Sequence, residues 1–408
     1  MKILYVPLEF SKWQSAQYWS YPEGLGLEEG FKACGVECFT LPALIRQPFF
    51  STESWLDHAR RICANIRFDS VWLTIPHIEY DSNFLEWLTE IAPTRIGYFV
   101  ESIGPYLGDR PIRNGRKVQS IFPYLTHALV WDEMDVAYFN ARDIPALWCP
   151  VHVPERFVNS RRKTPCFPVA LFFGAMYGER IRYLKHPTLS GLLVRPPHSL
   201  EHETQNPQIF DALNDEMLCL LAARSRWNPK LNFQRIKRWL RQFMRQPFKA
   251  RNEIPKNLPL QLETCAGQNE QSLLIAYLER LRECRHKNFE LWLDTLVQGL
   301  AIVNLPQGGF GYSPRVVEAM AVGRPVLAHR IPNRPRTVGL FKSDREIFLY
   351  DCPEELAGQI RRLQQNSALC DHMVNQSQAK LVQFHTTEKR VGQILRWLAT
   401  GEQPAYEN

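Results

Sequence analysis

The chain has 408 residues, with 49 Lys and Arg against 42 Asp and Glu, for a formal net charge of +7. Hydrophobic residues make up 45% and charged residues 22%, which excludes a disordered chain, a collagen-like repeat and a small disulfide scaffold. At roughly 100–200 residues per domain, the length predicts two or three domains, each able to bury a core.

No window reaches about 18 uninterrupted apolar residues, so no membrane-spanning helix is expected. The start, MKILYVPLEF, lacks the pattern of a signal peptide. The ten cysteines are scattered with no Cys-x2-Cys pair and read as reduced thiols, mostly small core residues. A cytoplasmic protein is expected.

The first 157 residues alternate short apolar runs with helical patterns. Strands are predicted at 2–6, 36–41, 70–75, 95–100, 127–131 and 146–150, with helices at 24–34 and 54–67. Runs that are almost continuously apolar suit parallel strands covered on both faces, and the alternation implies right-handed βαβ crossovers. Residues 150–168, with four prolines and the basic run at 161–163, read as an inter-domain linker. A second alternating set follows from 166 to 385. Its strands are predicted at 169–174, 191–194, 299–304, 325–328 and 346–350, and its helices at 179–184, 273–284, 314–322 and 353–365. A terminal helix at 386–400 is expected to pack back across the cleft. The fold class is α/β, with two sheets whose ligands sit at the carboxyl ends of their strands.

The stretch 196–268 interrupts this rhythm as a helical insertion. Residues 224–256 hold eleven basic residues and one acidic residue, a local charge of +10, so the rest of the chain sums to −3. Within it, Phe233, Ile236, Leu240 and Phe243 recur at helical spacing with arginines between them. Three readings of 231–245 stay open. They are a domain helix with its stripe on the core, an interfacial helix on anionic lipid at the inner membrane face, and, least favoured, a nucleic-acid contact without a recognised motif.

The most informative stretch is QGGFGYSPRVVEAMAVGRPVLAHR at 307–330. A Gly-rich loop ending at Gly311 and Tyr312 leads to Ser313, expected to N-cap a helix that has Pro314 at its first position. Amide groups at such a helix start suit phosphate, and Arg315 in the first turn suits a diphosphate. Glu318 lies one turn on, where a carboxylate can accept hydrogen bonds from sugar hydroxyls. A second turn, FFGAMYGER, places Gly174, Tyr177 and Arg180 after a predicted strand. Arg180 there reads either as a phosphate ligand or as a surface Arg paired with Glu179.

SPRVVEAMAVGRPVLA resembles the donor-sugar motif of GT-B glycosyltransferases, most closely the spore-maturation-type (CgeB-like) group. ALFFGAMYGERIRYL (170–184) and HTTEKRVGQILRWL (385–398) resemble two further stretches of that family, in its order. The resemblance implies two Rossmann-like domains facing across a cleft, with a nucleotide-diphosphate sugar held by Gly174, Tyr177, Arg180, Gly311, Tyr312, Ser313, Arg315 and Glu318. It implies sugar transfer to an acceptor hydroxyl without metal or cofactor. One departure stands out: many retaining members carry two glutamates with seven residues between them, and here the partner position is Phe310. The stereochemical outcome is therefore left open.

An inverting transfer needs a general base near the acceptor. Glu101, His77 and Asp132 each follow a predicted strand, with Glu101 preferred. The segment SYPEGLG (20–26) reads either as a Gly-rich loop near the donor or as an ordinary helix start. No nucleotide P-loop, Gly-x-Ser-x-Gly elbow, metal-binding His/Cys cluster or Asp-x-Asp motif is present. The rival classes are a sugar-nucleotide epimerase of the same fold and a non-catalytic lipid- or RNA-binding protein.

Overall fold

The computed structural model describes residues 1–10, 22–41, 43–45, 52–75, 80–103, 118–160, 165, 167–174, 176–196, 270–306 and 311–406. The basic segment 231–245 and His77 lie outside them.

The first domain comprises β1 (Lys2–Val6), β2 (Leu8–Phe10), α1 (Pro22–Ala33), β3 (Glu37–Thr40), β4 (Ala43–Ile45), α2 (Thr52–Cys63), β5 (Ser70–Ile75) and α3 (Ser82–Ile91). It continues with β6 (Thr94–Phe99), β7 (His127–Val130), α4 (Asp135–Asn140) and β8 (Ala146–Trp148). Its six-stranded sheet has the order β3-β1-β5-β6-β7-β8, all parallel, and β2 pairs with β4 separately. Side chains alternate between two cores, as the two-residue period of a strand requires. Leu4, Val6, Val71 and Leu73 enter one face, while Ile3, Tyr5 and Trp72 enter the other.

The second domain is built from β9 (Phe167–Leu171), α5 (Glu179–Leu184), β10 (Leu193–Val194), α6 (Glu270–Leu296), β11 (Gly299–Asn304) and α7 (Arg315–Ala321). Then come β12 (Val326–His329), α8 (Pro335–Gly339), β13 (Phe348–Tyr350), α9 (Pro353–Gln365), α10 (Ser367–Lys380), a π-turn at Leu381–His385 and α11 (Thr387–Thr400). The five-stranded parallel sheet has the order β10-β9-β11-β12-β13. The chain passes from β9 outward to β10 and then returns to β11 on the other side. The strand order therefore reverses between β9 and β11, which opens a crevice at their carboxyl ends.

Among the described residues, α11, the segment holding Tyr406 and α6 are three of the elements that tie the domains together. Helix α11 lays Val391, Ile394 and Trp397 into the first domain's core beside Leu27 and Phe31. A Cβ at Gly30 of α1 would fall 2.9 Å from the Thr387 carbonyl, so the close crossing requires glycine there. The C-terminal Tyr406 is buried, donates from Oη to the Trp148 carbonyl at 2.8 Å and lies under the Arg390 guanidinium.

The third tie is α6. The sequence predicts a helix at 273–284, yet α6 runs for 27 residues. Its Tyr277 enters the first domain's core, while Phe289, Leu293 and Leu296 enter the second's. A helix serving two cores in succession has no single apolar stripe, which is why periodicity underestimates its length. Helix α10 is unpredicted for a related reason, because Ser377, Gln378 and Lys380 are among its buried residues. The segment 20–26 is a helix start, since α1 begins at Pro22.

Candidate functional site

The crevice between β9 and β11 gathers one of the predicted constellations. After β9 the chain runs through Phe172 and Phe173 to Gly174, whose φ of 151° is unfavourable for a side chain. A Cβ there would meet the Phe172 ring at 2.9 Å. Gly178, with φ 51° and ψ −136°, turns the chain into α5. This turn directs Arg180 inward, where it is buried. Its Nε donates to the Pro306 carbonyl, just beyond β11, at 2.7 Å, and its guanidinium lies 4.3 Å from the Tyr177 ring centroid. Arg180 thus bridges the two strand ends that border the crevice. Burial pulls its pKa below the usual arginine value, partly offset by Tyr177 and Tyr350; an arginine so placed stays cationic. A second cation, Arg195, donates from Nε to the Gly174 carbonyl at 2.9 Å.

The loop after β11 returns at Gly311 beneath the first domain. A Cβ at Gly311 would stand 3.3 Å from the Trp131 carbonyl. Tyr312 is buried against Phe341, and its hydroxyl has no hydrogen-bond partner among the described residues. The expected Ser313 cap is corrected: α7 begins at Arg315 with Pro314 in the cap position and no side-chain capping bond. Ser313 contributes its carbonyl instead, accepting from the Val316 N–H at 2.9 Å. Glu318, one turn into α7, is 2% exposed. Burial pushes its carboxyl up to about 7 from the usual 4.5, opposed by a hydrogen bond from the Trp292 indole and by the Arg315 charge.

Of the three candidate bases, Glu101 is exposed just beyond β6. Asp132 is corrected. It is fully buried, and Arg334 from the second domain holds both its oxygens, Nη2 reaching Oδ2 at 2.8 Å. The Met134 N–H also donates to Oδ1, at 3.1 Å. A carboxylate buried out of an acceptor's reach and gripped by three donors acts as a strut, so Asp132 is not retained as a base. Its neighbour Glu133 accepts from the Thr337 N–H at 2.6 Å and from the Thr337 hydroxyl at 2.8 Å, capping α8 across the domain boundary.

Sequence reasoning misses Trp292, Arg334 and Arg195. A Trp on a helix reads as core, and the arginines of RIPNRPR (330–336) read as an exposed loop. No local pattern announces a partner some 200 residues away.

Comparison with known proteins bears on the second domain and on the fold. Residues 281–396 match the family model described as Glycosyl transferase-like. No curated protein matches the chain. Among solved structures, sucrose-phosphate synthase from Thermosynechococcus elongatus is similar over 98% of this chain and 99% of its own, at 11% identity and a TM-score of 0.50. HepE from Anabaena, in complex with UDP-glucose, aligns over 98% and 100% at 11% identity and TM-score 0.48. A glycosyltransferase from Rickettsia africae aligns over 97% of each chain at 10% identity and TM-score 0.45. The family match is to the broad family and does not reach the spore-maturation subtype. The chain has the GT-B fold, and its residues 281–396 match the glycosyl transferase-like family model.

Proposed function

We propose that the protein is a glycosyltransferase that holds a nucleotide-diphosphate sugar in the β9/β11 crevice and transfers its sugar to an acceptor hydroxyl. One observation carries the reading. The buried Arg180 spans the two strand ends where the order of the second sheet reverses, and α7, with Arg315 and Glu318, follows β11 within the family-matched segment.

In the reaction the bond from the anomeric carbon to the diphosphate oxygen breaks as the acceptor oxygen bonds to that carbon. Negative charge grows on the leaving diphosphate, and Arg180 and Arg315 stabilise it in a setting partly screened from water. Glu318 orients the donor through its hydroxyls. We assign the general base to Glu101, whose exposure beyond β6 supports a role facing an acceptor. The arginines take the charge-neutralising role that a divalent cation fills in other transferases, so we expect activity to survive chelation with EDTA.

Arg315→Ala tests the reading. It is expected to abolish donor hydrolysis and transfer with the fold intact, and near-normal turnover would sink the assignment. Product analysis without acceptor separates the epimerase alternative, which converts donor with no nucleoside diphosphate released.

A further inference from the structure

Glu318 is held by a residue outside its own helix and outside every motif of the sequence. The Trp292 indole Nε1–H donates to Glu318 Oε2 at 2.8 Å. Among the described residues this is the hydrogen bond that reaches the Glu318 side chain. The Trp292 ring is itself fixed, standing edge-on to Phe173 with centroids 5.1 Å apart. Phe173 immediately precedes Gly174, so one ring links the β9 turn to the α7 carboxylate.

We propose that Trp292 is a positioning residue for Glu318, its indole N–H fixing Oε2 so that Oε1 is presented to the hydroxyls of the bound donor. This rests on the reading of Glu318 as a donor ligand. An indole nitrogen can only donate, so it favours the acceptor-only, ionised carboxylate over the acid. The charged group bearing on Glu318 from its own helix is Arg315, which acts in the same sense. From α10, the uncharged Gln378 packs near α7, its Nε2 donating to the Ala321 carbonyl at 3.0 Å. With burial opposing them, the carboxylate titrates near neutrality, so loss of one donor moves its ionisation upward, above neutral pH.

The location of Trp292 gives the contact a second consequence. Helix α6 is anchored in the first domain through Tyr277 and through the ion pair of Arg282 with Glu28. The helix that seats Glu318 is therefore carried by both domains.

The test measures UDP-glucose affinity between pH 6 and 9 by calorimetry, with GDP-, ADP-, CDP- and TDP-glucose alongside, for the full chain and for Trp292→Phe, which keeps a ring against Phe173 and removes the N–H. The wild type is expected to bind more tightly as pH rises through about 7. In Trp292→Phe that midpoint moves upward by about one unit, so affinity at pH 7 falls about five-fold, as the ionised fraction drops from about one half to about one eleventh, and recovers by pH 9. A second measurement needs no variant at Trp292. Its indole N–H resonance in the wild type should titrate with a midpoint near 7, and Glu318→Gln should flatten it.

Unchanged affinity and pH profile in Trp292→Phe, or a loss at all pH values with no alkaline recovery, overturns the positioning role and leaves the donor reading standing. So does a Trp292 resonance that does not titrate. Failure of the wild type to bind any of UDP-, GDP-, ADP-, CDP- and TDP-glucose overturns the donor reading and the positioning role together.

Discussion

The Asp132–Arg334 pair offers the sharpest energetic test of how the two domains are held. Both side chains are almost inaccessible, 0% and 3% exposed, and their contact is two-pronged. Removing one partner leaves the other buried without compensation, at a cost of about 3–5 kcal/mol. Arg334→Met and Asp132→Asn should each show a loss of that size. At about 2–4 °C per kcal/mol for domains of 150–250 residues, the thermal midpoint falls by roughly 6–20 °C. The double variant should lose less than the sum of the singles, because it leaves no unpaired charge. The assay is scanning calorimetry of all four proteins, which also reads whether a single transition splits as the domains uncouple. Singles within about 0.5 kcal/mol of wild type, or strictly additive losses, would refute the latch.

Other buried contacts lead to further expected outcomes. Tyr406→Phe should cost about 1 kcal/mol by removing the bond to the Trp148 carbonyl, and Tyr406→Ala about 3–5 kcal/mol, both read by urea unfolding. His152 is buried, and its pKa is lowered to about 3, mainly by burial and then by Arg390. Because the unfolded chain binds that proton near 6.5 and the folded chain does not, wild type should lose stability as pH falls from 6.5 towards 3. His152→Asn should show a shallower loss in that window, and an unchanged slope would contradict the burial argument. Arg180→Ala should weaken nucleoside diphosphate binding while leaving the unliganded fold assembled, as judged by near-UV circular dichroism.

Much of the fold is legible in the sequence, for a physical reason. Parallel strands covered on both faces must be short and apolar, and β1, β5 and β11 fall at 2–6, 70–75 and 299–304 as predicted. Helix starts marked by a turn residue are equally clear, as at Glu179 and Pro353. Side-chain arrangements joining distant segments stay hidden. Asp132 carries the local signature of a strand-end catalytic acid, and only its meeting with Arg334 across the domain boundary reveals a strut. Ser313 has the right chemistry for a cap, but the following Pro314 takes the capping position and leaves the serine hydroxyl outside it. Glu318 is recognisable from its motif, whereas its raised pKa and its Trp292 partner depend on packing by a helix whose two halves belong to different cores.

The central claim is that the crevice between β9 and β11 holds a nucleoside diphosphate through Arg180 and Arg315. The most direct measurement is a thermal-shift titration of the full chain with UDP, GDP, ADP, CDP and TDP, repeated on Arg315→Ala. At 100 times its Kd, the matching nucleotide should stabilise the wild type by about 2.7 kcal/mol, with the shift largely lost in the variant. No stabilisation by any of the five, or equal stabilisation of wild type and Arg315→Ala, would contradict it.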